Sequence, residues 1–145
     1  MRIRNRERGA ALIEAAMTLP ILLLLMVGIF EVGRAYETWQ VLTNAAREGA
    51  RISVTPGSDV DTTTALVRQY MANGQLTESA VADVDVDNNA SLVVNGTTVG
   101  ASLVTVDYPF EFIVLQPIAQ LVVSGSTAGE PITMRATALM RNEAQ

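Results

Sequence analysis

The chain has 145 residues, no cysteine and no histidine, and fifteen acidic side chains against ten arginines, a net charge of −5. That length allows one modest domain beside a membrane segment, and the missing residue types remove disulfides, thiolate chemistry and the commonest general base and metal ligand. Residues 52–145 hold three arginines against ten acids, a net of −7 that argues against a phosphate-backbone binder.

In chain order, Arg2, Arg4, Arg6 and Arg8 come first, then Gly9, then a 21-residue run from Ala10 to Phe30 whose one charged residue is Glu14. About 20 apolar residues span the ~30 Å hydrocarbon layer as a helix. The basic flank predicts a cytoplasmic N-terminus, one crossing at 10–30 and an acidic domain outside. A carboxylate costs about 2.5–3.5 kcal/mol at the bilayer centre and less near its edge, so Glu14 invites a functional account.

Three readings of this N-terminus compete. A removable secretory signal would be cut near Gly33-Arg34-Ala35, although the apolar region is long for one and carries an acid. A permanent signal anchor accounts for length and orientation and leaves Glu14 an accident. A prepilin-type leader would comprise residues 1–9, cut after Gly9 on the cytoplasmic face, with the apolar helix retained. Only the third gives Glu14 a role. Cleavage makes Ala10 a cationic N-terminus and Glu14 the fifth mature residue, and positions one and five share a helical face. The macrodipole favours an anion there. In a low-dielectric bundle, pairing with a neighbouring subunit's amine offsets desolvation and helps fix axial register. The bland alternative is a carboxylate that merely reaches the headgroups.

The helix is expected to continue through an amphipathic segment, 31–55, with Pro20 kinking rather than ending it. Val32, Tyr36, Trp39, Leu42, Ala46, Gly49 and Ala50 form an apolar stripe, while Glu31, Arg34, Glu37, Gln40, Arg47, Glu48 and Arg51 mostly face elsewhere. Tyr36 and Trp39 are assigned to core packing. Pro56-Gly57 supplies the break, and a continuous helix from Ala10 to Ile52 would measure about 65 Å. Asn44-Ala45-Ala46-Arg47-Glu48-Gly49-Ala50-Arg51 concentrates small residues. Ala45 and Gly49 permit close approach of another backbone, more readily this chain's own sheet than a partner.

Residues 56–145 read as an extracytoplasmic α+β domain. Ser58 to Asp61 caps a short helix, roughly Thr62 to Ala72, ended by Asn73-Gly74. Val81, Val84 and Val86 alternate with Asp83, Asp85 and Asp87 as a half-buried strand. Ser91–Val94 and Thr97–Val99 flank the hairpin turn Asn95-Gly96, and Ser102–Tyr108 is a further strand, with Pro109 bearable only at its end or on an edge. Ile113 to Val123, interrupted by Pro117, reads as loop plus a short helical turn, Ser124–Gly129 as a loop, and Ile132–Met140 as the closing strand. The fold class is α+β: a long N-terminal helix, transmembrane then amphipathic, packed on a small antiparallel sheet in pilin-like fashion.

Chemistry in this domain is thin. Asp83 to Asp87 has the spacing of a calcium-loop opening, but Asn88 stands at the glycine position and Val94 at the glutamate position, so a solvated strand face is preferred. Asn89-Ala90-Ser91 and Asn95-Gly96-Thr97 fit the glycosylation acceptor pattern at turns where such residues are expected anyway. No catalytic, metal-ligating or cofactor-binding set emerges, and an enzyme is not expected.

Arg8-Gly9-Ala10-Ala11-Leu12-Ile13-Glu14-Ala15-Ala16, Leu19 to Leu25, Gly28 to Ala35 and the run Thr43 to Arg51 together resemble the TadE-like family, as do Val104–Phe110 and Ile132–Ala138. The resemblance implies a bacterial minor pilin or pseudopilin of the tight-adherence (type IVc) pilus system. It implies leader cleavage between Gly9 and Ala10 by a prepilin peptidase, and Glu14 as the plus-five glutamate. The implied partners are other pilins and pseudopilins of the Tad system and its inner-membrane assembly platform, without nucleic acid or cofactor. The implied location is the inner membrane, single-pass, with the N-terminus cytoplasmic. One departure is that Ala15 follows the glutamate, where the small Flp-type pilins place an aromatic residue. The rival class is a membrane-anchored envelope binding or scaffold protein, neither processed nor part of a filament.

Overall fold

Apolar continuity followed by a 3.6-residue pattern produces one helix. The computed structural model describes residues 3–122 and 124–142, and in it α1 runs Ile3–Ser53 with Pro20 inside it. There follow α2 (Val60–Asn73), β1 (Asp83–Val94), β2 (Thr97–Phe110), α3 (Leu115–Val122) and β3 (Ile132–Arg141). Two compact units result. One joins the chain up to Arg34 with Phe112–Glu130; the other joins Ala35–Glu111 with the chain from Pro131 on.

The second unit holds the sheet, antiparallel in the order β1-β2-β3. Asn95 and Gly96 both take positive φ, 50° and 79°, the backbone of a tight hairpin whose twist suits its strands. The separate strands expected before and after this turn are fused into two long ones. The device is a bulge: β1 uses one more residue than β2 between the rungs Asp87–Leu103 and Ala90–Ala101, which keeps alternate side chains on their faces. The Asp87 carboxylate accepts the Asn89 N–H at 2.8 Å at that point. Pro109 sits near the end of the central strand, two residues beyond the last rung with β1, Asp83–Asp107, where its missing N–H breaks no β1 ladder bond.

Ser102, Val104, Val106, Tyr108 and Phe110 are buried at every second position of β2, the period-2 signature of a strand with one covered face. In the same unit α1 buries Thr38, Leu42, Ala45, Ala46, Gly49, Ala50 and Ser53, and α2 buries Thr63, Val67 and Met71. Each large apolar side chain enclosed here contributes about 1.5–3 kcal/mol. A Cβ on Gly49 would stand 2.5 Å from a Val67 methyl and 3.2 Å from a Val104 methyl, so α1, α2 and the sheet meet at this glycine. Asp59 caps α2 by accepting the Thr62 N–H at 2.8 Å, and that bond holds its carboxyl below the usual range.

In the first unit, the stretch expected as loop plus a short helical turn is more ordered over its described residues: α3 has two full turns, and Pro117 falls at its third residue, inside the first turn where proline is tolerated. The following loop returns to the start of α3. Gly129, at φ 81°, lies so close to Gln116 that a Cβ would stand 2.7 Å from its backbone nitrogen.

Candidate functional site

The helical register of α1 places the residues singled out in the sequence. Gly9 and Ala10 lie within the helix, so the bond between them is helical backbone; the first two residues of the expected leader lie outside the described residues. Gly9 has no positive φ, and a Cβ there would meet nothing within 4 Å. Among the described residues, neither backbone conformation nor packing requires a glycine at that position.

Ala10 and Glu14 stand one turn apart and are both exposed. Among the described residues no ion pair or side-chain hydrogen bond reaches the Glu14 carboxylate; its main-chain carbonyl accepts the Thr18 hydroxyl at 2.9 Å. Along the same helix Leu12, Ile13, Met17, Ile21, Leu24, Leu25, Ile29 and Phe30 are each more than half exposed. The helix is long and apolar enough to cross a membrane.

The Asn44–Arg51 signature is divided by the helical period. Ala45, Ala46, Gly49 and Ala50 point into the second unit, whereas Asn44, Arg47 and Arg51 are exposed. Glu48 is half-buried and pairs with Arg51 at 2.6 Å, an i, i+3 contact at the surface that contributes little. Gly9, Ala10 and Glu14 belong to the first unit and the signature to the second.

Two expectations for 31–55 are corrected. Val32, Tyr36 and Trp39 are 69%, 60% and 46% exposed rather than core; Tyr36 and Trp39 pack ring against ring at 6.4 Å on the outside of the helix. Glu31, expected to face solvent, is 1% exposed. Its carboxylate accepts the Val114 N–H at 2.6 Å, the Leu115 N–H at 3.4 Å and an Arg34 N–H at 2.8 Å. The burial stripe therefore runs through Thr38 and Leu42, not through the aromatics. Aromatic side chains carry far more apolar surface than threonine, and that misdirects a reading by periodicity. A signal for Glu31 was present: an acid directly after an apolar run, with an arginine three residues on.

The chain is thus an α+β protein led by an apolar helix long enough to cross a membrane. Residues 9–51, which lie along α1, match the family model described as TadE-like protein. No curated protein matches the chain. No solved structure matches it.

Proposed function

We propose that this protein is a minor pilin or pseudopilin that supports assembly of a tight-adherence pilus and is processed by hydrolysis of the Gly9–Ala10 bond. The carrying observation is that one family-matched segment, 9–51, contains Gly9, Glu14 and the Asn44–Arg51 signature together. Water adds across the amide, residues 1–9 leave with the new carboxylate, and Ala10 keeps the amine. That amine, protonated, becomes the cation for Glu14, its own or a neighbour's.

Three features support this reading. Gly9 fills no structural need of the folded chain, as expected of a residue required by a peptidase. Glu14 is exposed on an apolar surface without a side-chain partner among the described residues, which favours a partner from outside the chain. The basic flank before the apolar run fits an N-terminus in the cytoplasm and a single crossing of the inner membrane. The role is structural rather than catalytic, and its partners are the prepilin peptidase, other pilins of the system and the assembly platform.

N-terminal sequencing of protein purified from membranes of peptidase-positive cells tests the first step. A sequence beginning Ala-Ala-Leu-Ile-Glu is expected; a start at Met1 overturns the proposal.

A further inference from the structure

We infer that the segment Phe112–Val122, which contains α3, rests on the outer surface of the same bilayer that α1 crosses. The inference rests on the membrane-crossing reading of 10–30. Its own ground is the bond between Glu31 and the start of α3. Glu31 is the first residue after the apolar run, and it receives the N–H groups of Val114 and Leu115. Whatever depth the end of the span has in the membrane, the first turn of α3 shares it to within a hydrogen-bond length.

Composition and exposure agree with a lipid boundary. Residues 112–129 contain no Asp, Glu, Lys or Arg, although residues 52–145 as a whole carry net −7. An anionic surface beside phospholipid headgroups would be repelled, and this stretch lacks the charges that would cause it. Ile113 is 60% exposed, and at the end of the apolar run on α1 Ile29, Phe30 and Val32 are 66%, 53% and 69% exposed. In water these apolar groups would stay uncovered. Against the headgroup and acyl boundary, each gains the stabilisation of apolar burial.

Burial of Glu31 belongs to the same arrangement. Its carboxylate is turned inward onto two backbone donors and Arg34, so it presents no anion to the lipid at the end of the span. An eight-residue helix without a basic face would bind a bilayer weakly by itself. Attached beside a membrane-crossing helix, it has a high effective concentration at the surface and needs little intrinsic affinity.

The chain has no cysteine, so single-cysteine variants of the full chain can carry an environment-sensitive fluorophore in vesicles of phosphatidylcholine and phosphatidylglycerol. Leu22→Cys reports the span, Ile113→Cys the segment before α3, and Thr137→Cys the exposed outer strand β3. At position 113, quenching by lipids spin-labelled near the headgroup, together with protection from aqueous iodide, is the expected result; position 137 should show the reverse. Iodide quenching at 113 equal to that at 137, with Leu22→Cys held in the bilayer, overturns the inference and leaves the membrane-crossing reading intact. Protection at 113 from both quenchers indicates a second copy of the chain as the occupant and also overturns it. A Leu22 label open to iodide overturns both.

Discussion

Glu31 and Val114, 83 positions apart in the chain, are joined by a 2.6 Å hydrogen bond from the Val114 N–H to the Glu31 carboxylate. The acceptor is charged and the site enclosed, so the bond is worth about 1.5–3 kcal/mol. Glu31→Ala should therefore speed hydrogen exchange at the Val114 and Leu115 amides by roughly one to two orders of magnitude. Glu31→Gln, which keeps a carbonyl acceptor, should fall between. Unchanged exchange in Glu31→Ala would show that α3 is held by other contacts.

Gly49 offers a packing test. Its absent Cβ would overlap a Val67 methyl at 2.5 Å. Gly49→Ala should lower unfolding stability by about 1–3 kcal/mol despite alanine's better helix propensity. Adding Val67→Ala should recover part of that loss, so the two changes together should cost less than their sum. Denaturant unfolding in detergent measures it; additive losses would mean the two residues do not meet.

Acid should weaken one cross-strand pair. Arg135 donates to Asp107 through two N–H groups at 2.7 and 2.6 Å, and these bonds hold the Asp107 carboxyl below its ordinary value. A depressed folded pKa gives a contribution that is complete above the unfolded value of about 3.9 and lost as pH falls through the folded one. Asp107→Asn should consequently be somewhat less stable than the parent at neutral pH, and the gap should close below about pH 4. The gap will be small, since Arg135 is largely exposed. A gap that widens in acid would have the wrong sign for this pair.

Glu14→Ala should leave the protein in the membrane fraction and cleaved, yet abolish or sharply reduce pili, because the freed amine loses its counter-charge. Glu14→Asp should restore them in part. Wild-type piliation by Glu14→Ala, counted by electron microscopy, would remove the pairing role.

Much of this architecture was legible because local and global signals agree. The apolar run from Ala10 to Phe30, the Asp59 cap and the Asn95-Gly96 turn each have one physical solution, and the structure adopts it. The fused strands were harder to read because the bulge at Asn88 and Asn89 hides continuity: an added residue interrupts the alternation that identifies a strand. Glu31 carried a local signal, yet its burial was hidden for a different reason. Its burial depends on backbone donors 83 and 84 residues away, and no window of neighbouring residues contains them. Of the proposed processing and pairing residues, Gly9 and Glu14 were found by chemistry rather than by periodicity, through a carboxylate too costly to leave unexplained.

The division of the Asn44–Arg51 stretch has an evolutionary consequence. With Ala45, Ala46, Gly49 and Ala50 all enclosed by their own unit, that side of the helix is shut to any visiting molecule. Asn44, Arg47 and Arg51, with the half-buried Glu48, still look outward there. Selection can then adjust recognition on one flank while the opposite flank keeps the scaffold intact, so the two traits can drift at different speeds and be dissected by separate classes of mutant.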